Sequence, residues 1–234
     1  MLDEAFAILK QYDWGSDMTR LAPIEDAVAV SHDQADVRQD LENRLIATLQ
    51  SDISRDAKDY VCRKLAIVGT VAAVPALQSL LGEKDYSHMA RIALERMPAP
   101  EAAQALRDAA AKVSNELKVG VISSLGSRRD AAAVSVFDVL LKDGDHSVAR
   151  AAALALGAIG SVDAASVLKV AATSAAGNKP AVIDALLACA EALLAGQKQT
   201  DALVIYRSLA ADDQARLVRL AATRGILACT SKQS

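Results

Sequence analysis

Chemistry at a protein site needs side chains that hold a metal, move a proton or attack an electrophile, and here such residues are few and scattered. The three histidines are His32, His88 and His146. No two are close in sequence, and none has an Asp, Glu or Cys partner at metal spacing such as HExxH. His88 and His146 occupy corresponding places at two helix starts, which points to structural or solvent-facing roles. Cys62, Cys189 and Cys229 are far apart and odd in number, with no CxxC spacing, so neither a zinc site nor a disulfide framework is indicated. Each lies in an apolar helical segment, where free cysteine behaves as a small hydrophobe. Their low count fits a reducing compartment. There is no GxSxG elbow and no glycine-rich phosphate loop. Ser123-Ser124-Leu125-Gly126 is a helix end, and Asp212-Asp213 reads as a cap on a helix start rather than a catalytic pair. The expectation is a protein with no catalytic residue, no metal and no cofactor, and so not an enzyme.

Two arginines and one tryptophan stand out for other reasons. Arg91 and Arg150 lie within apolar segments, where a charge is costly unless paired. The expected pairing is with a carboxylate or loop carbonyls of an adjacent repeat, using the guanidinium's fork of donors. Trp14 is the single tryptophan. It is expected to be buried, covering one end of the core as terminal repeats must.

The elements that would position these residues are helices. The chain is 52% hydrophobic and 3% aromatic, with 5 prolines and 11 glycines among 234 residues. Ala, Leu, Lys, Glu and Arg are good helix formers, and no alternating β-branched run makes a convincing strand. A net charge of −3, with both signs scattered, lacks the clustered excess of Lys and Arg that grips phosphate backbones, so no nucleic acid is expected as partner. The start, Met1-Leu2-Asp3-Glu4-Ala5, has no basic and apolar leader, so no signal peptide is expected in this chain. No apolar run reaches the roughly 18 residues of a membrane span. A complete chain would then be cytoplasmic, whereas a fragment could come from an exported protein, so the location stays unknown.

Overlaying the chain on itself reveals a repeat. Leu65-Ala66-Ile67-Val68-Gly69 has the same shape as segments beginning at Leu94, Ile122 and Leu156, spaced 29, 28 and 34 residues apart. Each carries two large aliphatic residues and then a helix stopper: a glycine able to take the left-handed conformation, or Pro98. A weaker copy ends at Gly196. Thr70, Asp130 and Ser161 are good N-cap types for the helices that follow. Ala99 is not, which predicts a less sharply started helix there. The second helices superpose as well. Val74, Leu77, Leu80 and Leu81 form one apolar stripe over 70–81, matched by Val134, Phe137, Leu140 and Leu141.

The segment from Asp145 to Gly160 resembles the first helix of a HEAT repeat, and Val71 to Leu77 resembles the start of a HEAT second helix. The variety is the short one also seen in bilin-lyase-like repeats. Segments at Asp59–Leu65, Ser87–Leu94 and Lys118–Ile122 are similar to an uncharacterised bacterial HEAT-like family, often part of longer exported proteins. The resemblance implies an all-α fold, a right-handed α-α superhelix of about six helical hairpins. The expected organisation is a single solenoid over 1–234, with the best repeats in 55–175 and capping regions at 1–54 and 176–234.

A solenoid of this kind presents an extended concave surface. The expected function is therefore a protein-interaction scaffold that binds a protein or peptide partner there, with no membrane role. The alternatives are a bilin-lyase-like enzyme accessory and, behind it, a nucleic-acid-binding HEAT-like protein. In the overlaid second helices Gln78 corresponds to Arg107, Asp138 and Lys169, each one residue after a core position. Pro75, Gln104, Ser135 and Ser166 lie one turn before them, and Gly82, Ala111, Lys142 and Thr173 one turn after. Gln78, Arg107, Lys142 and Lys169 are the expected binding residues on this ridge.

Overall fold

A computed structural model describes residues 1–174 and 178–231. Among them every regular element is helical. The chain forms two compact units, Met1–Ser124 and Leu125–Ser234.

The first unit opens with α1 (Leu2–Leu9), a 3-10 turn (Met18–Leu21) and α2 (Ala22–Val30). Then come α3 (Ala35–Leu49), α4 (Arg55–Val68) and the short α5 (Val74–Gln78), which is entered through a 3-10 turn. Next are α6 (Ser87–Arg96), α7 (Pro100–Lys112) and α8 (Asn115–Ser127), whose last residues belong to the second unit. Helices α2 and α3 pair, as do α6 and α7; α3 packs on α4, α4 stacks on α6, and α5 packs against α6 and α7. The second unit continues with α9 (Val134–Leu140), α10 (His146–Ile159) and α11 (Val162–Ser174). It closes with α12 (Lys179–Ala195), α13 (Gln199–Leu209) and α14 (Arg216–Thr230). There α10 stacks on α12, and α12 packs against α11, α13 and α14.

The overlay finds the core. Leu65, Leu94, Ile122 and Leu156 are fully buried, and so are Leu77, Leu106, Phe137 and Leu168. Burying a side chain of this size contributes roughly 1.5–3 kcal/mol, so these eight positions anchor both helices of successive hairpins. The stripe is less regular than its sequence suggests, because Val134 and Leu141 remain partly exposed. The expected helix over 70–81 is also shorter. After Gln78 the amides of Leu80 and Leu81 bond three residues back, to the carbonyls of Leu77 and Gln78, which tightens the chain into a turn.

Helix ends follow local chemistry, with exceptions. The hydroxyls of Thr70 and Ser161 accept from the amides of Ala72 (3.3 Å) and Ala164 (3.1 Å), as expected of N-caps. Asp130 stands at a cap position, but its side chain accepts no cap hydrogen bond. Ala99 offers no side-chain cap hydrogen bond, as expected, and the helix begins at Pro100, whose ring already holds the φ the first turn needs.

Of the glycine stoppers, Gly160 takes the left-handed conformation, with φ +62°. Gly69 is extended instead. Gly126 lies inside α8, and past that helix it is Arg129, φ 51°, that turns left-handed; beyond α12 it is Gln197 rather than Gly196. Glycine inside a helix serves a different purpose here. A Cβ on Gly157 would stand 3.0 Å from the Cα of Ala185, so its absence lets α10 and α12 touch backbone to backbone.

One junction is held from the neighbouring hairpin by two residues a turn apart on α3. Arg38 Nε donates to the Val68 carbonyl at 2.8 Å, an acceptor left over at the C-terminus of α4. Glu42 Oε1 accepts from the Thr70 amide at 2.6 Å, and Glu42 Oε2 accepts from the Thr70 hydroxyl at 2.9 Å, where the next helix begins. A cation thus meets the carbonyl end and an anion the amide end, the arrangement helix dipoles favour. Glu42 is 4% exposed, and these bonds make the burial of its charge tolerable.

Candidate functional site

The second helices present the expected ridge, helix by helix. In the first unit Pro75, Gln78 and Gly82 are exposed, as are Gln104 and Ala111, and Arg107 is partly exposed. In the second unit Ser135, Lys142, Ser166 and Thr173 are exposed, with Asp138 and Lys169 partly so. The alternation with fully buried Leu77, Leu106, Phe137 and Leu168 is what turns these rows outward.

In the first unit the structure brings Gln78 together with the end of α7. Gln78, Leu81, Gly82, Asp108, Lys112 and Val113 line a cleft of about 380 Å³ between α5 and α7. Its polar groups offer both signs and both hydrogen-bonding senses. Arg107 lies beside it, where its Nη2 donates to Gln104 Oε1 at 2.7 Å, and Gln104 Nε2 donates to Asp108 Oδ1 at 2.7 Å. This chain of bonds fixes the orientation of an amide, a guanidinium and a carboxylate on one surface. In the second unit Lys142 Nζ donates to Asp138 at 3.4 Å, one turn apart on α9 and the turn after it. Lys169 lies on α11, partly exposed.

Arg91 is half-buried and linked across first helices. Its Nη1 donates to Ser124 Oγ on α8 at 3.1 Å, and its Nη2 lies 2.7 Å from His88 Nδ1. The adjacent repeat does supply a partner, but it is a hydroxyl rather than a carboxylate. Burial lowers the Arg91 pKa from its ordinary value, against a favourable influence from Glu95. The guanidinium crosses the face of Gly120, where a Cβ would stand 2.7 Å from Nε. Arg150 is different: it is exposed on α10, on the side away from the apolar face.

All three cysteines are free thiols. Burial first of all pushes Cys62 up to about 12 and Cys189 up to about 11. Among the described residues no group of His, Cys, Asp and Glu is placed to hold a metal ion. No described helix is long and apolar enough to cross a membrane.

Three features depart from the sequence reading or escape it. Trp14 is 86% exposed, not buried. It sits in a turn with Gly15 at φ +85°, and the buried aromatic nearby is Tyr12, whose ring lies 6.4 Å from that of Tyr60. Asp212 does not cap α14 but pairs with Arg219 at 3.1 Å, and the cap position is Ala215. Glu25 accepts from Tyr60 OH at 2.8 Å and Lys64 Nζ at 2.6 Å, a cluster joining α2 to α4. Only the acid at one end and the Tyr and Lys of another helix signal it, and no spacing rule connects them.

A sequence profile of HEAT repeats matches residues 111–187. That match covers about a third of the chain, and with the stacked helices it supports a HEAT-like repeat fold. Its structure is similar to an engineered protein, 17% identical, covering 97% of this chain and 68% of that one at a TM-score of 0.43. It is also similar to the complex of CpcE and CpcF of phycocyanin lyase from a Nostoc species, 18% identical, covering 97% and 93% at a TM-score of 0.45. Human deoxyhypusine hydroxylase is 13% identical, covering 97% and 95% at a TM-score of 0.37. No curated protein matches the chain.

Proposed function

We propose that this protein is a non-catalytic scaffold that binds a protein or peptide partner on the polar face of its second helices. The observation that carries the reading is the ridge itself: in four successive second helices, the residue after a fully buried core position reaches the surface, and these residues are polar in every copy. Mixed charge suits a polar protein surface better than a phosphate backbone, which would require a basic stripe. The cleft beside Gln78, with Asp108 and Lys112 on its walls, offers a partner side chain both acceptor and donor. The burial of Cys62 and Cys189 and the engagement of His88 by Arg91 are in keeping with a binding role.

The reading is tested by placing a photo-crosslinking amino acid at Gln78, and separately at Lys169, in cells of the source organism. Both positions are expected to capture the same discrete protein, while a crosslinker at exposed Asp52, which is off the ridge, does not. Equal capture from all three positions, or none from the ridge, contradicts the assignment.

A further inference from the structure

The first helices of the first unit carry a second concavity. A groove of about 430 Å³ lies between α4 and α6. Its floor is apolar, with Cys62 and Met89 buried. Ile92 is partly exposed and Ile67 is 46% exposed on its walls.

The repeat overlay explains why this groove is open and the next one filled. Arg91 stands three residues before Leu94, and Cys62 three before Leu65. Gly120 stands two before Ile122, and Ile92 two before Leu94. Between α6 and α8 the long Arg91 side chain is laid over Gly120. Between α4 and α6 the corresponding position is Cys62, whose side chain is much shorter than that of Arg91.

The polar lining is one-sided. Arg63, Lys64 and Arg96 donate and cannot accept. Asp59 is the single carboxylate in the groove, and Arg63 Nη2 already holds it at 2.9 Å. Lys64 is paired with Glu25 outside the groove, whereas Arg96 has no carboxylate partner among the described residues. Arg91 Nη2 has only protons to offer, so His88 Nδ1 at 2.7 Å accepts from it, which leaves His88 Nε2 as the ring nitrogen able to donate. Basic and imidazole donors thus rim an aliphatic floor, and the one acid is already taken.

We propose that the α4–α6 groove binds a short acidic–aliphatic peptide segment of a partner protein, with a Glu or Asp carboxylate on Arg96 and His88 and an adjacent apolar side chain over Ile67, Ile92 and Met89. This site is separate from the second-helix ridge and stands or falls without it.

The test is fluorescence anisotropy with a labelled, C-terminally amidated peptide of alternating Leu and Glu, beside its Leu-Gln counterpart and free hexanoate as competitor. Saturable binding of the Glu peptide is expected, weakened at least tenfold in the Gln peptide. Arg96→Glu and Ile67→Glu should each weaken it at least tenfold with unchanged far-ultraviolet circular dichroism, whereas Arg107→Glu on the ridge leaves it unchanged. Equal binding of both peptides, insensitivity to Arg96→Glu, or absence of saturable binding overturns the proposal. Hexanoate binding without peptide binding overturns it as well, assigning the groove to a free carboxylate. Loss in Arg107→Glu with no loss in Arg96→Glu would move the peptide to the ridge.

Discussion

Glu42 is where a single residue does most to join two hairpins. Its carboxylate takes the amide and hydroxyl of Thr70, and hydrogen bonds to a charged group are worth about 1.5–3 kcal/mol each when one partner is removed. Glu42→Ala leaves the Thr70 amide without its acceptor and should lower stability by roughly 2–3 kcal/mol in urea unfolding. Glu42→Gln keeps one acceptor and should lose less; equal losses would show that the charge is not what matters. Glu25 makes a pH prediction. Burial alone would raise its pKa, but hydrogen bonds from Lys64 and Tyr60 outweigh it and hold the carboxyl below the ordinary value of 4.5. A depressed carboxylate adds stability that is present above the unfolded value and lost as pH falls through the folded one. The unfolding midpoint should therefore drop as pH is lowered below about 4.5, and Glu25→Gln should flatten that drop. Neither residue was legible in the sequence, because each finds its partners on a different helix, 28 residues away for Thr70 and 35 for Tyr60. Trp14 escaped for a related reason: an amphipathic aromatic can cover a core end or stand on a turn, and its sequence neighbours alone do not distinguish the two.

At the scale of elements, sequence periodicity was a good guide wherever burial on one helix face set the outcome. Leu77, Leu106, Phe137 and Leu168 are one overlaid column and all are fully buried. Where backbone approach set the outcome, the same column reading went astray: Gly126 looked like a stopper and is a helix-interior glycine instead. Close approach is testable at Gly157. Gly157→Val must push the α10 backbone away from Ala185, and overpacking of this kind costs about 1–3 kcal/mol. A gain in stability, as expected if Gly157 merely weakened an ordinary helix, would contradict the account. Gly160→Ala should also destabilise, since φ +62° is strained for any side chain and a Cβ there meets Ala192. Thermal unfolding of the two variants checks both.

For the whole molecule, helical class and repeat architecture follow from composition and the overlay, while the proposed binding surfaces required coordinates. The ridge could be written down from register alone; the cleft beside Gln78 and the groove beside Arg96 could not, since each forms between helices of different hairpins. The last helix, α14, leaves Leu217, Leu220 and Leu227 exposed on one face, and nothing in its own sequence says what covers them. The claim that most depends on all these levels is that the second-helix ridge holds the partner. The measurement that tests it most directly is the affinity of the partner captured at Gln78 for the triple variant Arg107→Glu, Lys142→Glu, Lys169→Glu. Exposed and half-exposed substitutions leave the helices in place, so circular dichroism and the unfolding midpoint should be nearly unchanged. Reversing these three charges should weaken the complex by roughly tenfold or more. Undiminished affinity in a folded triple variant would place the partner elsewhere on the molecule and contradict the account.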